Sequence, residues 1–368
     1  MNEVAENPVE VTVAEQPDPL LTHILQYRRC HGSVGDIKFR TWLSGELLRY
    51  GEKPRIGASG CVIVRTDEKS DTLFSCHVDT VHGMNESSEF QPLMYDSDFG
   101  HIFLGDKDKS TCLGADDGVG VYIMMKMVQA KVPGTYIFHT GEEKGGIGAR
   151  DMLAKEPGFF EDFSRSIAFD RPNTYEVICT QGGVQCASSV FGLALAKALN
   201  DLESDFKYEI SHRGVFTDNK VYAYAIPENV NLGVGYFNQH TKEEYLDYNH
   251  VKRLLAACLK IKWDDLPTNR KPEAPRVQGL WGDVGSKKEF GWPTKAAPIK
   301  HKAVEPEEPH EATDYTGTEL EDVMGMTMDE IHDLVEADPY VAAIAIRDLI
   351  VEIDSLKARV SRLQEFLQ

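Results

Sequence analysis

Residues 72–83, TLFSCHVDTVHG, run as an apolar stretch of strand length into His77, with the carboxylate of Asp79 two positions later. A short apolar run closed by polar and glycine residues has the form of a buried β-strand. A histidine at the tip of such a strand can aim one ring nitrogen at a metal, while a nearby carboxylate holds the other nitrogen and fixes the ring. The same grammar repeats on either side. CVIVRT (61–66), TYIFHT (135–140), SIAFD (166–170) and VNLGVGY (230–236) are further strand candidates. GVGVYIMMKMVQA (118–130), CASSVFGLALAKALN (186–200) and YNHVKRLLAACLKI (248–261) have helical periodicity. Strands alternating with amphipathic helices predict one α/β body with a largely parallel sheet, from about Leu20 to about Trp263.

The ends of these strands carry metal-ligand residue types. Asp116 and Asp117 stand in LGADDGVG, just before a predicted helix, and Glu142 and Glu143 stand in YIFHTGEEKGG, just after a buried-looking strand. Asp170 closes SIAFD, and His240 lies in GVGYFNQHTKEEY. Each has an ordinary reading of its own. Adjacent aspartates before a glycine serve as a turn and helix cap, and paired glutamates serve as a polar loop. Together they place carboxylates and imidazoles at the carboxyl ends of several strands, which is where sites gather in open α/β sheets.

The ordered set HVD, GADDG, GEE, FD and a late histidine resembles the co-catalytic zinc exopeptidases, a group that includes peptidase T, glutamate carboxypeptidase and the zinc aminopeptidases. The resemblance spans about Ser75 to Tyr245. It implies a three-layer zinc-exopeptidase sandwich (phosphorylase/hydrolase-like) with a mostly parallel mixed sheet, and two zinc ions, with cobalt or manganese as alternatives. It implies His77 and Asp170 as ligands of one ion, Glu143 and His240 as ligands of the other, and Asp116 as a bridge between them. The Asp116–Asp117 peptide would be cis, Asp79 would orient His77, and Glu142 would be the general base. The stretch from Asp170 to His240 is too short for the inserted lid domain of the larger members, so the layout is closer to the single-domain aminopeptidases. Without a lid, a group stabilising the oxyanion must come from the body, and Tyr208, His212 and Arg213 in KYEISHRGVFTDN are the candidates. Arg171 is a candidate for holding a substrate carboxylate, and Asp218 for orienting a loop or meeting a substrate ammonium. The expected activity is aminopeptidase action on short peptides. An N-acyl amino acid deacylase on the same site is the alternative, and a non-catalytic scaffold is the reading from another class.

Composition narrows the partners. The chain has 368 residues, with 59 Asp+Glu against 39 Lys+Arg and a formal net charge of −20, so no basic face for nucleic acid is expected. The longest stretch without charge, 177–196, is interrupted by Thr, Gln, Gly and Ser and does not read as a membrane span. Seven cysteines without a CxxC pair read as buried free thiols in a reducing, cytoplasmic setting. Four segments are expected: an acidic disordered tail over 1–18, the catalytic body over 19–265, a proline-rich linker over 266–318 and a helical tail over 319–368. The linker carries Trp281 and Trp292 in QGLWGDVGSKKEFGW. In the tail, Asp338 and Pro339 suit a helix start. Ile346, Leu349, Ile353, Leu356, Val360, Leu363 and Leu367 then follow a coiled-coil register, which predicts homo-oligomerisation through 339–367.

Overall fold

The structure, a computed structural model, describes residues 16–272. The coiled-coil tail, the Trp281/Trp292 segment and most of the predicted linker lie outside the described residues. The chain enters through two helices, α1 (Pro19–Gln26) and α2 (Val34–Arg49), each opened by a side-chain cap: Asp18 accepts from Leu20 N and Ser33 from Asp36 N.

The main sheet is then laid down in pieces: β1 (Arg55–Ile56), β2 (Val62–Arg65) and β3 (Thr72–His77). A hairpin, β4 (Leu93–Asp96) and β5 (His101–Leu104), belongs to a second sheet, and α3 (Ala115–Gln129) leads to β6 (Thr135–His139). After α4 (Ile147–Lys155) come β7 (Arg165–Arg171), β8 (Glu176–Ile178) and the short pair β9 (Thr180–Gln181) and β10 (Val184–Gln185). Next are α5 (Ser189–Leu202), β11 (Glu209–Ser211), α6 (Asp218–Val221) and β12 (Glu228–Gly233). β13 (Tyr236–Phe237), β14 (Tyr245–Asp247) and α7 (Tyr248–Cys258) complete the body.

The main sheet has the order β1-β2-β6-β3-β7-β12-β8-β11. Its centre, β6-β3-β7-β12, is parallel, and antiparallel pairs occur at β1–β2, β2–β6 and β8–β12. Strand alternation explains the layers. Val62, Val64, Phe74, Cys76, Tyr136 and Phe138 join the core beneath α1, α2, α3, α5 and α7, while Cys61, Ile63, Leu73 and Ile137 join Met152, Phe160, Tyr222 and Ile226 on the opposite face. A four-stranded antiparallel sheet, β13-β14-β5-β4, stands beside this sandwich. All seven cysteines are buried and unpaired, and no described helix is long and apolar enough to cross a membrane.

The body continues past the expected boundary at 265. Glu228, fully buried at the start of β12, accepts hydrogen bonds from Ser188 N (2.6 Å), Ser188 Oγ (2.9 Å), Asn269 N (2.7 Å) and Arg270 N (2.7 Å). It therefore fastens both the capped start of α5 and the segment after Leu266. Glu228→Ala leaves these donors unmet in the interior, and the expected loss is about 3–5 kcal/mol, read from the urea midpoint. Glu228→Gln keeps one acceptor oxygen and is expected to lose less. A loss under about 1 kcal/mol for alanine contradicts this account.

Candidate active site

Three neighbouring parallel strands, β6, β3 and β7, deliver the core of the site from their carboxyl ends. His77 is the last residue of β3, Asp170 is the penultimate residue of β7, and Glu142 and Glu143 follow β6 in a 3-10 turn. That turn is held by glycines: Gly141, Gly145 and Gly146 have φ of 68°, 86° and 69°, a left-handed backbone that other residues adopt at a cost. Asp116 stands at the head of α3, and its peptide bond to Asp117 is cis, as the resemblance implies. His240 comes from the other sheet, in the loop between β13 and β14, and itself has a left-handed backbone with φ of 64°.

The side chains converge. His77 Nε2 is 3.0 Å from Asp116 Oδ1 and 3.5 Å from Asp170 Oδ1. His240 Nε2 is 3.1 Å from Asp116 Oδ2 and 2.8 Å from Glu143 Oε1. Potential ligand atoms fall into three overlapping groups, each within 4.8 Å: His77, Asp116 and Asp170; Asp116, Glu143 and His240; and His77, Glu142 and Glu143. The two oxygens of Asp116 thus face different partners. Burial disfavours a charged His77 ring, yet Asp170, Asp116 and Glu142 outweigh it and raise its pKa well above the ordinary histidine value. The facing carboxylates of Asp116 and Glu143 lift His240 to about 10. Burial also opposes the Asp116 carboxylate, but its bonds to His240 and His77 hold its pKa well below the usual range. Glu142 is pushed up to about 10, first by burial and then by the nearby Asp170, Asp218 and Glu143 charges, against the attraction of His77.

The donor set suits divalent cations. Imidazoles and carboxylates in sets of three are the ligands of catalytic zinc, leaving room for water and substrate. Glu143 Oε1 is buried and has no hydrogen-bond partner among the described residues, although it faces His240. A buried carboxylate oxygen left so is costly unless a cation or proton meets it.

Asp79 departs from the expectation in how it acts. Its backbone carbonyl, 2.9 Å from His77 Nδ1, holds the ring, whereas its carboxylate lies 3.8 Å away. The carboxylate instead accepts from Glu142 N (3.1 Å) and Glu143 N (3.3 Å), so Asp79 ties the β3 tip to the glutamate turn. Asp117 does the same for α3, accepting from His77 N (3.2 Å) and Gly120 N (3.0 Å). A Cβ at Gly120 would come within 2.4 Å of that carboxylate, which explains the glycine.

Residues that sequence reasoning missed hold these side chains in place. Asp170 accepts from Thr217 Oγ1 (2.5 Å) and Tyr236 Oη (3.1 Å), and Asn231 bonds both its backbone N–H and its carbonyl. Glu244 reaches from the His240 loop to accept from Gly114 N (2.9 Å) and Asp116 N (3.0 Å). Arg29, fully buried, donates to the carbonyls of Ile24, Val78 and Gly114. None of these lies in a motif, and Glu244, inside TKEEY, reads as part of a solvated charge run.

A cleft of about 230 Å³ opens over Asp116, Glu142, Asp170 and His240, with Ile178, Val215 and Phe216 in its wall. Arg171 lines it, but Tyr208, His212 and Arg213 do not. Tyr208 is buried at the edge strand β11 side of the sheet, with its hydroxyl on Gly233 O (2.7 Å) and beside His250 Nε2 (2.9 Å). His212 pairs with Thr180 Oγ1, and Arg213 is exposed with an ion pair to Glu176. The wall is taken by Gly214, Val215 and Phe216, the next three residues along the chain. Asp218 is likewise no lining residue: it is buried at the head of α6, next to Phe216 and the Gly146 turn, with both carboxylate oxygens unpartnered among the described residues.

No family model and no curated protein matches the sequence. Solved structures do. The aminopeptidase PepT of Bacillus cereus aligns with 65% of this chain and 95% of its own at 13% identity and a TM-score of 0.51. A tripeptidase of Staphylococcus aureus aligns over the same shares at 13% identity and a TM-score of 0.52. PhTET1-12s, described as a dodecamer in the asymmetric unit, aligns with 66% of this chain and 98% of its own at 14% identity and a TM-score of 0.52. The likeness is one of fold: the body of this chain has the mixed α/β architecture of these peptidases, as the sequence resemblance implied.

Proposed function

We propose that this chain is a metal-dependent exopeptidase that removes N-terminal residues from short peptides, with two zinc ions as its cofactors. The observation that carries the reading is the overlap of two ligand groups on Asp116 with Glu142 beside them. One ion would be held by His77, Asp170 and Asp116, the other by Glu143, His240 and Asp116. Bound dications supply a lowered pKa for water and Lewis-acid polarisation of the scissile carbonyl. Glu142, which lines the cleft, takes the proton of the attacking water and returns it to the leaving amine. Asp79 fixes the backbone of the Glu142 turn, so the carboxylate is positioned before substrate arrives. Thr217 and Tyr236 spend both oxygens of Asp170 on fixed donors and limit its rotation. Self-association through the 339–367 stripe belongs to the same reading.

The test is mass spectrometry of a defined peptide mixture, with N-acetylated members, after incubation with zinc-loaded protein. Stepwise loss of N-terminal residues from free peptides alone is the expected result. Removal of the acetyl group from otherwise intact peptides moves the assignment to a deacylase. No change with two zinc ions bound leaves a scaffold.

A further inference from the structure

We propose that Arg171 makes this cleft selective for substrates that present a carboxylate close to the scissile bond. This rests on the peptidase reading of the site and names what that site selects. The first observation is placement. Asp170 and Arg171 are consecutive residues of one strand, whose side chains would ordinarily leave on opposite faces, yet both line the cleft. The β7–β12 register explains this: Ala168 pairs with Asn231 and Arg171 with Gly233, so Phe169 and Asp170 together stand opposite a single residue, Leu232. An extra residue of this kind breaks the alternation and re-aims the side chains after it.

The second observation is charge. Arg171 donates Nε (2.8 Å) and Nη2 (2.7 Å) to one oxygen of Glu176, a carboxylate only 1% exposed. Its remaining nitrogen, Nη1, has no hydrogen-bond partner among the described residues. The other oxygen of Glu176 accepts from Arg213 Nη2 (3.0 Å) and Ser211 Oγ (2.8 Å). Because Glu176 is shared with Arg213, it offsets the charge of Arg171 only in part, and the orientation of Arg171 is fixed in advance.

The third observation is a complementary acceptor. Gln181, 1% exposed, also lines the cleft, and its Oε1 has no partner among the described residues. The amide orientation follows from the network: Asn219 Nδ2 donates to Val230 O, so Asn219 Oδ1 must accept, and Gln181 Nε2 supplies that bond. A donor and an acceptor above an apolar wall of Ile178, Val215 and Phe216 match a ligand carrying a carboxylate and an amide N–H. At about 230 Å³ the cleft is smaller than the usual 300–1,000 Å³ of ligand pockets, so a carboxylate reaching Arg171 belongs to a residue next to the reacting bond. Two sources meet that description: the side chain of an acidic N-terminal residue, or the C-terminal carboxylate of a very short peptide.

Three peptides separate them on the zinc-loaded 368-residue chain: Glu-Ala-amide against Gln-Ala-amide for the side chain, and Gln-Ala against Gln-Ala-amide for the terminus. Wild type is expected to favour the carboxylate in one arm by about 10- to 100-fold in kcat/KM, carried mainly by KM. Arg171→Met should bring that ratio to within about 3-fold, and Arg171→Lys should recover part of it. Glu176 keeps Arg213, Ser211 and Asn173 as donors in these variants, so its carboxylate is not stranded. Calorimetric binding of the same peptides to zinc-loaded Glu142→Ala protein provides a readout independent of turnover. If wild type cleaves nothing, but this protein prefers carboxylate peptides and loses the preference with Arg171→Met, the peptidase reading fails and the selectivity stands. Equal rates and equal binding within both arms, or no binding of any of the three, overturn the proposal.

Discussion

Glu142→Ala protein is expected to fold, to bind zinc as wild type does and to lose kcat by about 10²–10⁴-fold, the usual worth of a positioned proton-transfer group. The expectation comes from the way the two glutamates of the turn differ. Glu143 faces His240 at 2.8 Å and completes a ligand group with Asp116, whereas Glu142 lines the cleft and meets only the group centred on His77. The backbone N–H groups of both residues are held by Asp79, so trimming one side chain leaves the turn intact. Glu142→Gln keeps the shape and one acceptor but cannot take a proton, and it should be as inactive as alanine. The decisive comparison is metal content beside single-turnover rate. Loss of zinc together with activity makes Glu142 a ligand, and retention of both removes it from the chemistry.

Much of this site was legible because most of the candidate ligands sit at a strand end or helix start that their neighbours specify locally. Apolar runs of five or six residues mark β3, β6 and β7; the chemical residue closes the run at His77 and Asp170 and comes in the glycine-flanked turn after β6 at Glu142 and Glu143. What was not legible depends on contacts distant in sequence. Thr217 and Tyr236 meet Asp170 only after the chain has crossed the sheet and returned, and Glu244, just before β14, meets Gly114 at the head of α3, 130 residues away in sequence. The helix α2 shows no clean apolar stripe because Asp36, Thr41 and Ser44 are buried beside Phe39, Leu43 and Leu47. Tyr208 was misjudged because β11 pairs only with β8 at the sheet edge, away from the central strands that carry the site. The bulge that brings Arg171 to the cleft is likewise a property of two paired strands, invisible in SIAFDR alone.

Asp116→Ala is expected to weaken metal binding in both ligand groups, whereas His240→Ala should weaken it in one. Asp116 is shared: its Oδ1 faces His77 and its Oδ2 faces His240, so its removal leaves each group two protein ligands. His240 belongs to a single group, and His77, Asp116 and Asp170 survive its loss. An outer partner of a ligand is worth about 10–100-fold in metal affinity, so a ligand itself should be worth at least about 100-fold. At a free metal concentration near 100 times the wild-type Kd, binding stabilises the fold by about 2.7 kcal/mol per site, and a 100-fold weaker site retains about 0.4. Calorimetric titration of chelator-stripped protein should therefore give two tight equivalents for wild type, one for His240→Ala and none for Asp116→Ala. Thermal unfolding with and without metal should follow the same order, since only metal bound to the folded state raises the midpoint. Two tight equivalents in Asp116→Ala protein would end the bridging assignment, and none in His240→Ala would mean that the groups fill only as a pair.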